Sequence, residues 1–193
     1  MATKKKQDVE IKLVIDNREK DISYTKELID GRITKDGIKI VEIEKQCVKP
    51  LGCEDKQSTG DVTIEYRIKG SNSDWIKSNL AIECKRGMDF FSSLYMKANR
   101  DRLMMEIQRG YDYKLDFYVV VTDSLSELTK KIHKVPKFRN SNVENTHFDM
   151  MIKLDDKLRE CGFNGVITSG SDLTWCIKRI IKHHIKKNKL QYF

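Results

Sequence analysis

The chain has 193 residues, 37 Lys and Arg against 29 Asp and Glu, a formal net charge of +8 and 39% hydrophobic residues. That length suits one domain with a sizeable core, and two Pro with ten Gly exclude a collagen-like or low-complexity chain. The surplus of positive charge favours an acidic partner, with nucleic acid first among them. No apolar run approaches the ~20 residues a bilayer requires, and no apolar stretch follows the basic start Met1–Lys6, so neither membrane insertion nor secretion is expected. The cysteines Cys47, Cys53, Cys84, Cys161 and Cys176 contain no C-x-x-C pair. They point to reduced thiols rather than a disulfide framework or zinc ribbon. The expected compartment is the cytoplasm of a bacterium or phage-infected cell, or the nucleus if the chain is eukaryotic or viral.

Residues 1–8 read as a flexible basic arm, and residues 9–193 as a single domain. Ile11–Ile15 forms a strand ending in the polar cluster Asp16-Asn17-Arg18-Glu19. A short helix is expected from Ser23 to Asp30, then a half-buried strand over Ile38–Ile43 and a loop from Gln46 to Thr59. Gly60-Asp61 opens a strand over Val62–Arg67. The turn residues Gly70–Asp74 then lead to a strand over Leu80–Lys85, so the two are expected to form a hairpin. One helix is expected after Gly87, its apolar stripe made by Phe91, Leu94, Tyr95, Ala98, Met105 and Ile107. Leu115–Val121 is apolar enough for a central strand covered on both faces, and Asp123-Ser124 suits a helix cap. A helix through Phe148, Met151, Ile152, Asp155 and Leu158, a short strand over Gly165–Thr168 and an amphipathic helix from Leu173 to His184 complete an α/β pattern.

The chemistry concentrates in three side chains. Alternation along a strand puts Glu83 and Lys85 on one face, and Asp61 begins the preceding strand, where its carboxylate is expected to meet Glu83. Two carboxylates and an ammonium suit metal-assisted phosphodiester hydrolysis. Magnesium takes oxygen ligands and keeps several waters, and a lysine beside it can orient or deprotonate the attacking water or neutralise charge growing on phosphorus. Asp16 offers a further carboxylate or an outer hydrogen bond. In a chain with 34% charged residues, the same spacing also arises on solvated faces.

The order of motifs adds to this. Val14-Ile15-Asp16-Asn17-Arg18-Glu19 resembles the D-x-R-E segment that opens the nuclease domain of the XPF family of structure-specific endonucleases, a branch of the PD-(D/E)XK superfamily. Gly60-Asp61 resembles its G-D, and Glu83-Cys84-Lys85 with Asp89 its E-R-K-x-x-x-D. Phe90, Phe91, Ser93 and Leu94 resemble the helix start that follows, and Arg102 with Glu106 stands where the family usually has Arg and Gln. The resemblance runs from Val14 to about Val121. It implies a restriction-endonuclease-like mixed sheet flanked by helices on both faces, and cleavage of branched or flapped DNA with Mg2+ or Mn2+. It also implies a homodimer, with no small-molecule cofactor. Asp61 and Glu83 would bind metal, Lys85 would assist the water, and Asp16, Arg18, Glu19, Asp89 and Arg102 would be neighbours or substrate contacts. Cys84 departs from the family's Arg and removes a permanent charge beside the site. The family's tandem helix-hairpin-helix module has no counterpart in the sequence. A DNA-binding or partner-recruiting module with weak catalysis, and a nuclease acting on plain duplex, remain the alternatives.

Less specific features surround this core. The basic segment with Lys134, Lys137 and Arg139 suits phosphate contacts as well as it suits a solvated surface. Adjacent helical residues such as His183-His184 point about 100° apart and make a poor metal pair. Trp75 and Trp175 read as packing residues before base-stacking ones.

Overall fold

The structure, a computed structural model, describes residues 7–19, 28–29, 37–53, 59–123, 126–127, 130, 143–170 and 172–191. The basic start Met1–Lys6, all but Leu28 and Ile29 of the expected helix at Ser23–Asp30, and Lys134, Lys137 and Arg139 lie outside these residues. The strands are β1 (Val9–Asp16), β2 (Ile38–Gln46), β3 (Val62–Ile68), β4 (Ile76–Lys77), β5 (Leu80–Lys85), β6 (Asp116–Val121) and β7 (Ile167–Thr168). The helices are α1 (Gly87–Tyr95), α2 (Lys97–Asp112), α3 (Val143–Glu160) and α4 (Leu173–Lys187). The strands make one mixed sheet in the order β2-β1-β3-β5-β6-β7, with β4 beside β3, and the fold is α/β as expected. The chain packs as two compact units, Met1–Ala81 with Thr174–Phe193, and Ile82–Leu173. Among the described residues no helix is long and apolar enough to cross a membrane.

In the first unit β1 is the organising strand. It pairs parallel with β2 and antiparallel with β3, and Ile11, Leu13 and Ile15 are fully buried along one of its faces. The other face is polar but not open. Lys12 lies opposite Glu65 in the β1–β3 register, and its Nζ reaches Glu65 Oε2 at 2.6 Å and Glu44 Oε2 at 3.1 Å. Trp75 covers the same face, with the Lys12 ammonium 5.3 Å and the Arg67 guanidinium 4.4 Å from its ring centroid. Burial works against the Lys12 charge, but hydrogen bonds and charge from Glu65 and Glu44 outweigh it and raise the pKa of the ammonium. Breaking a buried ion pair strands the remaining charge at a cost of about 3–5 kcal/mol. Glu44 is partly exposed, so the lower end applies, and Lys12→Ala is expected to cost about 3 kcal/mol by urea unfolding near neutral pH. A loss below about 1 kcal/mol would show that the triad is not holding these strands.

β3 and β5 are neighbours in the sheet, as the expected hairpin requires, with a short strand added in their connection. Glu65 and Tyr66 pair first with Lys77 and Ile76 of β4. This two-residue strand is exposed on both residues, so it carries no alternation from which to detect it. α4 closes the unit with an apolar face of Cys176, Ile177, Ile180, Ile181 and Ile185. Nearby, the Gln7 amide donates to the Gln191 carbonyl at 2.9 Å.

The second unit is built on β6, whose Phe117, Val119, Val120 and Val121 are buried, in keeping with a central strand. β7 pairs parallel with its end. The single helix expected after Gly87 is in fact two. Met96, extended at φ −83° and ψ 117°, ends α1 and opens α2. Ala98 and Met105, assigned to the apolar stripe, are exposed, and the buried face of α2 is Leu103, Glu106, Ile107 and Gly110. Those positions follow the helical spacing i, i+3, i+4, i+7 with a carboxyl among them. Gly110 lets the helix approach β6, since a Cβ there would sit 3.1 Å from the Phe117 ring.

Candidate active site

Glu83 and Lys85 stand near the end of β5, and the alternation expected of a strand holds for them. Lys85 Nζ forms an ion pair with Glu83 Oε1. Only 2% of Glu83 is accessible, whereas the Lys85 side chain keeps partial contact with solvent. The Lys85 carbonyl accepts from the Thr122 amide at 3.0 Å, which fixes the strand end against the residue after β6. A buried carboxylate fixed beside a half-buried ammonium is a costly arrangement for a surface of no consequence.

A third group joins them from α2. Glu106 is 4% exposed, and its Oε1 lies 3.8 Å from both Arg102 Nε and Arg109 Nη2. Its Oε2 is buried without a hydrogen bond of good geometry. Burial, and then the negative charge of Glu83, push the Glu106 carboxyl up to about 7, against the opposing pull of Lys85 and Arg102. Burial and the neighbouring Glu83 thus favour the protonated, neutral form of Glu106. In the sequence Glu106 stands where the resembling family has Gln, a position with no expected role. Its signal was present in the spacing of Leu103, Ile107 and Gly110, which points it inward. Arg109 stands in none of the motifs, and its guanidinium belongs to the same cluster.

Arg102 is exposed at the rim of this cluster. Asp89 is exposed in the first turn of α1, where a carboxylate suits the positive end of the helix dipole, and its carbonyl accepts from Ser93 Oγ at 2.8 Å. Cys84 is half-buried, and all five cysteines are free thiols. The buried Cys53 lies with its Sγ 3.3 Å from Thr59 Oγ1. Buried His184 has its Nδ1 3.1 Å from the Asn188 side-chain amide, whereas His183 is exposed, so the two do not act as a pair.

The first unit brings Asp16 and Asp61 together. Ile15 pairs with Val62, and the Asp16 amide donates to the Asp61 carbonyl at 2.8 Å. The Asp16 carboxylate, in a residue only 1% exposed, accepts from the Arg18 amide at 2.8 Å and from its guanidinium Nη2 at 2.5 Å and Nε at 3.1 Å. This fork-like grip holds Arg18 at the strand end. Glu19 follows in the same turn, its amide donating to the Asp16 carbonyl and its carbonyl accepting from Lys45 Nζ at 3.1 Å. Among the described residues no group of three or more His, Cys, Asp or Glu is arranged to hold a metal. Glu83 and Glu106 offer carboxylate oxygens, the donor type that hard cations take.

No family model and no curated protein matches this chain. Among solved structures it is similar to XPF from Aeropyrum pernix in complex with DNA, at 12% identity and a TM-score of 0.46, over 91% of this chain and 66% of that one.

Proposed function

We propose that this chain is a divalent-metal-dependent DNA endonuclease acting on branched or flapped duplexes. The observation that carries the reading is the buried Glu83 carboxylate with Lys85 set against it and Glu106 beside it. The order of the D-x-R-E, G-D and E-x-K motifs supports it, as does the net charge of +8. Glu83 would hold Mg2+ or Mn2+ together with Asp61, which is assigned on its Gly-Asp motif. When bound, the ion supplies positive charge to the phosphate and acidifies water. Lys85, as an ammonium, orients the water or the phosphate oxygen and offsets charge that grows on phosphorus. Asp16 keeps Arg18 in place, and Arg18, Glu19, Asp89 and Arg102 are proposed as contacts around the scissile linkage. The preference for branches and the homodimer rest on the family resemblance alone.

The test uses labelled flap, fork and linear duplex DNA, with magnesium or with chelator, beside Asp61→Asn and Lys85→Ala. Branch-selective nicking that needs magnesium and falls at least about 10²-fold in both variants is the expected result. Binding without cleavage would identify a recruiting module, and equal cutting of linear DNA would identify a general nuclease. Sedimentation of the same protein tests the dimer.

A further inference from the structure

α4 carries an anomaly that the nuclease reading does not use. Its buried face is complete without Trp175, which sits on the polar side with 58% of its surface accessible. A large aromatic on the wet side of an otherwise well-sorted amphipathic helix has lost the burial that normally keeps it there. Around it lie Lys178, Arg179 and Lys182, at i+3, i+4 and i+7, so all four residues share one stripe of the helix. The Arg179 guanidinium lies 5.3 Å from the Trp175 ring centroid. Ile38 and Ile40 of β2 and Ile181 of α4 complete the walls of a cavity of about 180 Å³.

This cavity combines an apolar floor with a rim whose described charges are all positive. From these features we infer that the Trp175 pocket takes an unpaired base of a nucleic-acid strand, with the adjoining phosphates on Lys178 and Lys182. The indole offers a flat face for stacking, and an aromatic ring interleaved with cations is the chemistry by which single strands are held without sequence choice. Lys178 and Lys182 are separated by about 6 Å of helix rise, so they can engage different phosphates along one strand. Charge complementarity selects this occupant, because a polyanionic strand matches a cavity lined by Lys178, Arg179 and Lys182, whereas a duplex would keep its base faces stacked away from the indole. The inference rests on the reading of the chain as a DNA enzyme and places an unpaired arm of the branched substrate in this pocket of the first unit.

The two Trp of the chain allow a direct readout. In a Trp75→Phe background, with chelator present so that nothing is cut, the fluorescence of Trp175 is followed while an oligo(dT) of about 16 nucleotides is added. Quenching by the single strand is expected, with a much smaller response to a duplex of equal length. Trp175→Ala, which removes an exposed side chain and leaves the thermal midpoint in place, is expected to weaken single-strand affinity by about 5- to 100-fold and duplex affinity by less than about 3-fold. Replacing Lys178 and Lys182 by Gln should reduce the slope of log affinity against log salt by about 1.4. Absence of quenching, equal loss for single strand and duplex, or a response to an acidic peptide but not to oligo(dT) would each overturn the proposal, the last in favour of a protein partner. Cleavage of flap DNA by the wild type is measured separately. Quenching without cleavage leaves the pocket standing while the nuclease reading falls, and cleavage without quenching does the reverse.

Discussion

Replacing Glu83 with Gln is expected to lower magnesium-started cleavage of flap DNA by at least about 10²- to 10³-fold while leaving the fold and DNA binding intact. Gln preserves the size of the side chain and removes the anion. Glu83 is nearly inaccessible and its Oε1 is paired with Lys85, so the change also releases the lysine from its partner. Two effects then combine: one cation-binding oxygen is lost, and the ammonium is no longer held where charge builds on phosphorus. Lys85→Met separates them, since it keeps the carboxylate and should lower the rate without weakening the ion. Single-turnover cleavage with protein in excess over labelled DNA measures both. Cleavage by Glu83→Gln within about 3-fold of wild type would remove Glu83 from the chemistry.

The second large effect concerns Glu106 and pH. Burial, with the charge of Glu83 second, raises this carboxyl from 4.5 to about 7, so the folded chain holds a proton that the unfolded chain releases near 4.5. The stability contributed by the protonated form is fully present below about pH 4.5 and is lost as pH rises through 7. Between about pH 5 and pH 8 the unfolding free energy of the metal-free protein should therefore fall, by roughly 2 kcal/mol from this group. Glu106→Gln keeps a neutral donor at every pH. It should flatten that dependence and exceed the wild type in stability by roughly 2 kcal/mol near pH 8, read from urea midpoints at a series of pH values in chelator. An unchanged pH dependence in the variant would contradict the assignment of the raised carboxyl to Glu106.

Where the sequence was legible, one physical signal dominated each element. β1 announces itself through its Ile, Leu and Val, β6 through the run Phe117–Val121, and α4 through its apolar face, because burial imposes the pattern directly. The Glu83–Lys85 pairing follows from strand alternation alone. The break at Met96 was hidden because neither Pro nor Gly marks it, and methionine is a good helix former. What ends α1 is an extended backbone that no local propensity demands. β4 was hidden by being short and exposed. Glu106 was hidden in a different way, since a count of apolar residues skips a buried carboxyl even when the helical spacing places it inward. Arg18 is the reverse case: the motif suggested a DNA contact, while the structure shows that it first grips the Asp16 carboxylate.

These points converge on the claim that Glu83 holds a divalent ion. Titration of Mn2+ into the protein near pH 8, followed by calorimetry, tests it without reference to any DNA substrate. The account expects saturable binding in wild type and in Lys85→Met, and its loss in Glu83→Gln. Equal binding in wild type and Glu83→Gln would contradict it.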